Sequence, residues 1–456
     1  MSKQLELNIE HFPIKDNITV PFRPIHYLGS KLRLVDQIRE IAERVRPNAN
    51  SFCDLFSGSS TLSYAMSKHY NVTAVDVQEY SRVLASALME NVRPSIADAN
   101  KFVDEIQNGM HLAELRELFS DAILYEKNAL SDAAQGNPAG IVTILEDGSI
   151  KYGENPAVPH VFVTREKIAK VRWSDSPKIQ ISQVYGGIYF SYEQSIVIDA
   201  IRNDIEENAD PAQRAILLAA LVSTVSGCVN TIGKQFAQPI RLLTKDGRVK
   251  INLISKIIGD RSTDILTSYR QWLLKYCALP SYGNDCRALK GDYLEVLNAE
   301  LKRGQRFDLI YADPPYTRDH YSRYYHLIET LCLRDAPSIT STTLRGKTSI
   351  SRGMYREDRH QSPFCIKSKA PDAFSSLFAS ARNFNCPLLL SYSPFSRSND
   401  DHPRLMDVEH IVELGTSYYS DASITYFDEF AHSKLNSTSN NKNRTQEAEV
   451  LITFLP

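Results

Sequence analysis

The hydrophobic positions of residues 30–92 follow strand and helix periods in turn. A helical repeat of apolar residues begins near Val35, and Ser30 is expected to cap that helix. Short apolar runs that end in small or acidic residues are typical of buried strands, and their alternation with helices indicates an open parallel sheet. The predicted elements are, in order, a helix over 30–46, a strand over Ser51–Leu55, a helix over Thr61–His69, a strand over Asn71–Asp76 and a helix over Tyr80–Asn91.

The alternation breaks between residues 95 and 285. Turn signals are dense there and helices mix with short apolar runs, so this stretch is interpreted as a large insert. Its longest apolar run, Ala215–Ile232, follows Asp210 and Pro211, a good cap and first-turn pair. Polar residues interrupt the run, which favours a buried core helix over a membrane span. The predicted strands of the insert are Val161–Thr164, Ile179–Val184 and Gly187–Phe190.

The parallel-sheet pattern resumes at Phe307–Ala312, a nearly continuous apolar strand. The later predicted elements are a helix over Tyr321–Leu333, strands over Pro387–Tyr392, Ile424–Phe430 and Glu449–Phe454, and a polar loop over 433–446. We therefore predict a doubly wound, mostly parallel, Rossmann-like α/β sheet made from residues 20–94 and 286–456. Residues 95–285 are predicted to form a second domain inserted into it.

Composition restricts the class of protein. The chain has 456 residues, of which 43% are hydrophobic and 23% charged, as in an ordinary globular protein. Its net charge of -2 requires that any nucleic-acid contact come from basic residues gathered on one face. The seven cysteines lack CxxC spacing, which argues against a structural zinc or a disulfide framework. The same cysteines fit a reducing cytoplasm, and the N-terminus shows no signal-peptide pattern, so we expect a cytoplasmic protein without membrane contact. No bound metal is expected.

The most specific motif is Asp313-Pro314-Pro315-Tyr316, directly after the strand Phe307–Ala312. Ligands of an open α/β sheet bind at the carboxyl ends of its strands, so the tetrapeptide is expected to point into that crevice. The Asp313 carboxylate and the Pro314 carbonyl can accept the two N–H bonds of an exocyclic purine amine and direct its lone pair at a methyl donor. Tyr316 offers a ring for stacking, and a duplex base must be flipped out to reach it. The alternative is a stiff proline turn without a chemical role.

Small residues after the first strand indicate a nucleotide-like ligand. The loop of the segment Phe52–Ser60 lets such a ligand approach the backbone, although small-residue loops are common. Asp76, at the end of the next strand, can accept hydrogen bonds from ribose hydroxyls, and the alternative for it is a surface acid. The candidate binding residues of the loop are Asp54, Phe56, Gly58 and Ser60.

Two further motifs flank these segments. In His26–Lys31, Lys31 stands at a predicted helix start and is a candidate partner for a donor carboxylate. In the Gly291-Asp292-Tyr293 turn, Asp292 is a candidate acceptor for the amino group of a donor adenine. A solvated lysine and a helix cap are the plainer alternatives for the two residues.

The order of these motifs resembles that of the Dam-type N6-adenine DNA methyltransferases. It runs HYLGSK, FCDLFSGSS, AVD, a long insert, KGDY and DPPY. The resemblance covers residues 23–92 and 286–332, and LLLSYSP and HSKLN with EVLI are similar to later motifs of the family. The insert lies outside it.

The resemblance implies S-adenosylmethionine as the methyl donor and double-stranded DNA as the substrate. It implies that Tyr27, Lys31 and Asp76 bind the donor and that Asp313 binds donor or target. Such enzymes commonly accompany a separate restriction endonuclease, so a modification role is also expected. The sequence departs from the family pattern at Tyr27, where tryptophan is usual, and at Ser30 and Ser60, where glycine is usual. These departures bear on donor affinity rather than on the tetrapeptide.

Two stretches of the chain are strongly basic. Lys234–Lys275 holds nine basic and three acidic residues, and Arg334–Lys369 holds eight and three. Such stretches can neutralise phosphates and position a duplex. We therefore assign target recognition to residues 95–285, with help from 334–370. For any single basic residue, a solvated surface position is the plainer interpretation.

Other functions stay open at this point. The same tetrapeptide serves adenine methylation in RNA, although the large insert favours duplex DNA. A non-catalytic DNA-binding subunit would keep the fold, but intact Asp313, Tyr316, Lys31 and Asp76 argue against it. Methylation of cytosine N4 or of protein glutamine usually goes with serine or asparagine in place of the aspartate. The catalytic hypothesis requires that Asp313 lie in the crevice beside Gly58 and Asp76, with its side chain not locked in an internal ion pair.

Overall fold

Eight strands of the computed structural model form one sheet. The structure describes residues 8–12, 22–90, 92–318, 320–344, 347–393, 405–427 and 449–456. The strands are β1 (Asn8–Phe12), β2 (Ser51–Asp54), β3 (Asn71–Asp76), β4 (Arg287–Lys290), β5 (Leu309–Ala312), β6 (Ser341–Leu344), β7 (Lys347–Ile350), β8 (Leu388–Tyr392), β9 (Asp421–Phe427) and β10 (Val450–Leu455). The sheet has the order β1–β9–β10–β8–β5–β2–β3–β4, and β6 and β7 pair separately as an antiparallel hairpin. The predicted polar loop over 433–446 lies outside the described residues.

The winding of the sheet reverses between β2 and β5. From β2 the chain proceeds outward through β3 and β4, and from β5 it proceeds in the other direction through β8. These five strands pair in parallel, and β10 runs antiparallel between β8 and β9. The predicted doubly wound, mostly parallel α/β fold is therefore confirmed. In such a sheet the crevice for a ligand opens where the winding reverses, at the carboxyl ends of the strands.

Helices fill the connections. They are α1 (Val35–Val45), α2 (Thr61–Met66), α3 (Glu79–Met89), α4 (Ile96–Gln107), α5 (Met110–Leu118), α6 (Ser120–Ala134), α7 (Ala139–Asp147), α8 (Pro159–Lys170), α9 (Tyr192–Asn208), α10 (Arg214–Cys228), α11 (Ile254–Arg261), α12 (Ile265–Cys277), α13 (Tyr293–Lys302), α14 (Tyr321–Tyr324), α15 (His326–Leu333), α16 (Ala370–Arg382) and α17 (Val408–Thr416). Every residue of β5 is buried, because a central parallel strand is covered by helices on both faces. This explains why FDLIYA shows no polar alternation.

The chain divides into two compact units. The first combines Met1–Asn91, Pro280–Ser322 and His360–Pro456 and contains the sheet. The second combines Val92–Leu279 with Arg323–Arg359. The second unit thus holds the predicted insert together with a later stretch that the sequence pattern placed in the sheet domain.

The predicted helix over residues 30–46 begins later than expected. Helix α1 starts at Val35, and Leu34 is its cap residue without a side-chain hydrogen bond. The segment before it is a turn in which the Leu34 N–H donates to the Lys31 carbonyl over 2.8 Å. The expectation that Ser30 caps this helix is therefore wrong.

The three strands predicted within the insert are also wrong. Helix α8 covers Val161–Thr164, a π-helical turn covers Ile181–Tyr185, and Gly186 and Phe190 form only an isolated bridge. A short apolar run fits a buried strand and a buried helical segment equally well, since so few residues define no period. The second unit is instead mainly helical.

The longest apolar run forms α10, as expected for a core helix. Asp210 caps a short turn over Pro211–Gln213, and α10 begins at Arg214. Among the described residues, Pro211–Cys228 is the one helical stretch long and apolar enough to cross a membrane, and 67% of it is buried inside the structure. The hydroxyls of Ser223 and Tyr276 hydrogen-bond at 3.0 Å and join α10 to α12.

A buried ion pair stabilises the second unit. The Arg261 guanidinium donates to the Glu126 carboxylate, and the two side chains are 0% and 3% exposed. The same guanidinium donates to the Gly187 carbonyl over 2.7 Å, and the Tyr192 N–H donates to Glu126 over 2.7 Å. Burial raises the pKa of Glu126, and the arginine opposes that shift.

Replacing Arg261 with methionine is expected to destabilise the second unit by about 3–5 kcal/mol, because the Glu126 carboxylate stays buried without its counter-ion. Urea unfolding of the full chain measures the change. The matched control is Arg248→Met, which removes an exposed ion pair with Asp246 and is expected to leave unfolding unchanged. Equal shifts for the two variants would contradict the argument.

Candidate functional site

An open cleft of about 900 Å³ lies in the first unit at the carboxyl ends of β2, β3, β4 and β5. Its position is the reversal point of the sheet, where a doubly wound fold binds its ligand. The predicted site residues that line it are Tyr27, Phe56, Asp76, Asp292, Asp313, Pro314, Pro315 and Tyr316.

The DPPY tetrapeptide enters this cleft directly from β5. The Leu55 N–H donates to the Tyr311 carbonyl over 3.0 Å, which holds the end of β2 beside the end of β5. The Tyr316 ring is only 8% exposed and packs edge-on against Tyr392, with ring centroids 5.5 Å apart. The structure therefore brings Asp313 into the cleft, while most of the Tyr316 ring belongs to the core beneath it.

Asp313 is held in an ion pair. The Lys31 ammonium lies 2.7 Å from Asp313 Oδ2, and the two side chains are 6% and 18% exposed. The expectation that the Asp313 side chain is not locked in an internal ion pair is therefore wrong. Sequence spacing gave no sign of this contact, because 282 positions separate the two residues.

This ion pair does not remove the carboxylate from use as an acceptor. A carboxylate has two oxygens and about four acceptor directions, and a lysine over one oxygen uses one of them. A cation at this distance also favours the ionised form of the acid. The Asp313 carboxylate is therefore not isolated, as the sequence suggested, and Lys31 fixes its orientation.

The small-residue loop after β2 is closed by Asp76. The Gly58 N–H donates to Asp76 Oδ2 and the Gln78 N–H donates to Asp76 Oδ1, each over 2.9 Å. Burial raises the pKa of Asp76, and these backbone hydrogen bonds oppose that shift. Gly58 has φ of +51°, and an added Cβ would come within 2.6 Å of the Tyr27 hydroxyl oxygen. Glycine is thus required there by both backbone and space.

Three predicted loop residues lie away from the cleft lining. Ser60 is buried with φ of +56°, a left-handed conformation that costs a serine roughly 1–2 kcal/mol. This explains the usual glycine at that position. Asp54 is also buried, its Oδ2 accepts from the Ser63 hydroxyl over 2.5 Å, and burial raises its pKa to about 7. The predicted site residues that are absent from the described cleft lining are therefore Lys31, Asp54, Gly58 and Ser60.

The opposite part of the lining is aromatic and acidic. Asp292 caps α13, with Oδ1 accepting from the Leu294 N–H over 2.9 Å, and it lines the cleft as well. Phe56 and Tyr293 pack with ring centroids 5.3 Å apart, and Phe364 meets both rings within 5.7 Å. Both interpretations of Asp292, helix cap and pocket residue, are therefore compatible.

Sequence reasoning missed a second group of lining residues. The predicted helix over Tyr321–Leu333 is broken into α14 and α15 at Tyr325, and Tyr321 lines the cleft. Its ring lies 5.8 Å from that of Tyr27. Four further lining residues lie between 360 and 365, where the chain re-enters the first unit, and no sequence motif marks this segment. The missed residues include Gln78, Tyr80, Tyr293, Ser322, His360, Ser362 and Cys365.

The cleft is electrostatically negative. Its described lining contains the carboxylates of Asp76, Asp292 and Asp313 and no lysine or arginine. Burial lowers the pKa of His360, which favours the neutral form of this lining imidazole. A ligand that carries positive charge therefore fits the cleft better than an anion.

Comparisons with known proteins show that this chain is similar to several DNA methyltransferases. Residues 27–145 match the D12 class N6 adenine-specific DNA methyltransferase family. Type II methyltransferase M.FokI of Planomicrobium okeanokoites is 26% identical over 376 residues, which are 81% of this chain and 44% of that protein. Modification methylase LlaI of Lactococcus lactis subsp. lactis is 24% identical over 409 residues, 88% of this chain and 51% of that protein.

Type II methyltransferase M.CviAII of Paramecium bursaria Chlorella virus 1 is 22% identical over 312 residues, 67% of this chain and 68% of that protein. The chain thus spans 44% and 51% of the lengths of M.FokI and LlaI. The matched segment, residues 27–145, contains Tyr27, the loop after β2 and Asp76. Part of the chain is therefore similar to the D12 class N6 adenine-specific DNA methyltransferases, the family that the motif order resembles.

Proposed function

We propose that the protein transfers a methyl group from S-adenosylmethionine to the N6 amino group of a flipped-out adenine in DNA. The observation that carries this proposal is the convergence of DPPY, the loop after β2 and Asp76 on one cleft of the sheet. These three segments are proposed to have separate chemical roles, and the fold places residues of all three in the lining of the same cleft. The family match and the type II relatives support the same reaction.

The acidic cleft fits the methyl donor. When bound, S-adenosylmethionine supplies a methyl group activated by a positively charged sulfur. Asp76 and Asp292 are proposed to hold its hydroxyl and amino groups. Gly58 is proposed to act indirectly, because it leaves room for the Tyr27 hydroxyl and its N–H holds Asp76. Tyr27 and Phe56 supply apolar walls. The carboxylates of the lining attract the positively charged sulfur of the donor. Once the methyl group has been transferred that charge is gone, and the product is bound less tightly.

The DPPY segment is proposed to hold the target amine. The Asp313 carboxylate and the Pro314 carbonyl accept its two N–H bonds, so that the nitrogen lone pair is free to attack the methyl carbon. Positive charge builds on N6 as the C–N bond forms, and a fixed carboxylate stabilises it. The nitrogen gains a methyl group and loses one proton, for which Asp313 is the proposed acceptor.

The tyrosines at the cleft are proposed to stack on the extruded base. Tyr316 presents only a small exposed part of its ring, whereas the rings of Tyr27 and Tyr321 also line the cleft. A base taken out of a duplex loses its stacking partners, and aromatic side chains replace them. The stacking role assigned to Tyr316 alone is thus better shared among the three rings.

The second unit is proposed to recognise the DNA sequence. Many of its basic residues are engaged in ion pairs, for example Arg270 with Asp104 and Lys234 with Asp260. Arg261 is buried and cannot reach phosphate. The basic surplus of residues 234–275 is therefore partly used within the unit, and phosphate contacts are expected from its exposed residues, such as Lys245.

The wider role is proposed from the relatives. Their names describe type II methyltransferases and a modification methylase. A modification role beside a separate restriction endonuclease, in the cytoplasm, is therefore proposed for this chain as well.

Replacing Asp313 with alanine is expected to lower adenine methylation by about 10²–10³-fold, because the transition state loses a preorganised charge. Methylation-sensitive sequencing of DNA from cells that express the chain is expected to show one adenine-methylated motif, absent from the variant. The control is Asp285→Ala, which removes an exposed acid outside the cleft lining. Methylation of RNA instead of DNA, or unchanged methylation in the variant, would contradict the proposal.

Replacing Asp76 with asparagine is expected to weaken binding of S-adenosylmethionine by about tenfold or more, since hydrogen bonds to a charged acceptor are lost. Burial raises the pKa of Asp76, so donor affinity should fall as the pH falls through that raised pKa, at a higher pH than an exposed aspartate would give. Calorimetric titration between pH 5 and 8 measures both effects. A variant that keeps the affinity and pH dependence of the native protein would refute the role of Asp76.

Exchange of Val92–Leu279 for the corresponding segment of a relative with a different target is expected to change the methylated motif, because base contacts reside in the second unit. Sequencing of methylated DNA reads the outcome, and transfer of labelled methyl groups to mixed DNA confirms that the chimera is active. An active chimera that methylates the original motif would show that recognition lies elsewhere.

A further inference from the structure

We infer that Lys31 and Glu449 are positioning residues that act through Asp313, with Glu449 holding Lys31 over the DPPY carboxylate. The expected effect on catalysis rests on the proposed methyl transfer. The contacts of Lys31 and Glu449 are observed whatever the reaction. It changes the expected role of Lys31 from a contact of the methyl donor to a fixed partner of the catalytic acid.

Three oxygens surround the Lys31 ammonium. Nζ lies 2.7 Å from Asp313 Oδ2, 3.3 Å from the Gly29 carbonyl oxygen and 3.5 Å from Glu449 Oε1. A lysine ammonium has three N–H donors; Asp313 and the Gly29 carbonyl accept hydrogen bonds from it, and Glu449 lies at ion-pair distance. Lys31 is also absent from the described cleft lining. The arrangement leaves Lys31 poorly placed to receive a donor carboxylate.

Glu449 is itself anchored in the sheet. It precedes β10 directly and is fully buried, and its Oε1 accepts from the Ser391 hydroxyl of β8 over 3.1 Å. The Lys31 ammonium also faces the Tyr316 ring at 5.8 Å from the centroid. The segment before α1, the end of β5 and the pair β8–β10 are thus joined through one ammonium.

The charges of this group explain why a second acid is useful. A lone lysine at 2.7 Å would neutralise Asp313 and weaken it as an acceptor. With Glu449 present, the Lys31 ammonium is shared between two carboxyl groups and does not pair with Asp313 alone. Although burial lowers the pKa of Lys31, Asp313 and then Glu449 raise it well above its ordinary value. The lysine therefore stays charged, and it holds the Asp313 carboxyl group at a fixed position.

Steady-state kinetics separate this role from donor binding. With a duplex that contains the methylated motif, Glu449→Gln is expected to lower kcat about tenfold, since loss of a neighbouring charge changes the basicity of a carboxylate by one to three powers of ten. The KM for S-adenosylmethionine should stay within about twofold. Lys31→Met should lower kcat further, and Lys31→Arg and Glu449→Asp should restore part of the rate.

The kinetic result has clear opposing outcomes. If Lys31 binds the donor carboxylate, Lys31→Met raises the dissociation constant of S-adenosylhomocysteine in calorimetry, while Glu449→Gln leaves kcat unchanged. That pattern would overturn the inference. If the native chain methylates no adenine at all, the proposed function fails. The positioning role of Lys31 and Glu449 must then be tested by a measurement that does not depend on enzyme activity.

A double-mutant cycle in urea unfolding provides that measurement. Lys31→Met removes the shared counter-ion of two acids, whereas the same change in a Glu449→Gln background removes it from one, so the double variant should lose less stability than the two single losses added together. Arg39→Met with Glu43→Gln is the matched control, an exposed pair on α1 that should give nearly additive losses. Additive losses for Lys31 and Glu449 would overturn the inference.

Discussion

The structure depends on the ion pair that closes the end of β5, between Lys31 and Asp313. It joins a segment that precedes the first helix to the central strand of a sheet whose order reverses at that point. Burying two charges is costly unless geometry and further hydrogen bonds compensate, and here Glu449 and the Gly29 carbonyl complete the surroundings of the ammonium. An acceptor held at a fixed position in the lining of the cleft follows from this arrangement.

The rest of the cleft is organised around the same reversal of the sheet. Parallel pairing of β2 with β3 and β5 brings the loop before α2, Asp76 and Asp313 to one edge. Asp76 accepts two backbone N–H groups and so sets the shape of the loop as well as offering charge to a ligand. Each of the lining acids is held by a different strand or helix end. Their like charges therefore cannot push them apart.

Local patterns allowed prediction of six of the eight strands of the sheet, all except β1 and β4, and of several residues at the ends of its strands. The apolar run before DPPY, the acid that ends β3 and the small residues after β2 each have a direct physical reason in the sequence. Long-range contacts have no such signal. The Lys31–Asp313 pair, the support from Glu449 and the lining segment after residue 360 arise from tertiary folding. The strands predicted in the insert failed because short β-branched runs fit buried helices equally well.

The most direct measurement is a crystal structure with S-adenosylhomocysteine and a DNA duplex that carries the methylated motif. The account predicts that the target adenine is flipped into the cleft, with N6 within hydrogen-bonding distance of Asp313 and of the Pro314 carbonyl. Lys31 should remain paired with Asp313 and Glu449. A structure in which Lys31 contacts the carboxylate of the donor, or in which the base amine is distant from Asp313, would contradict the account.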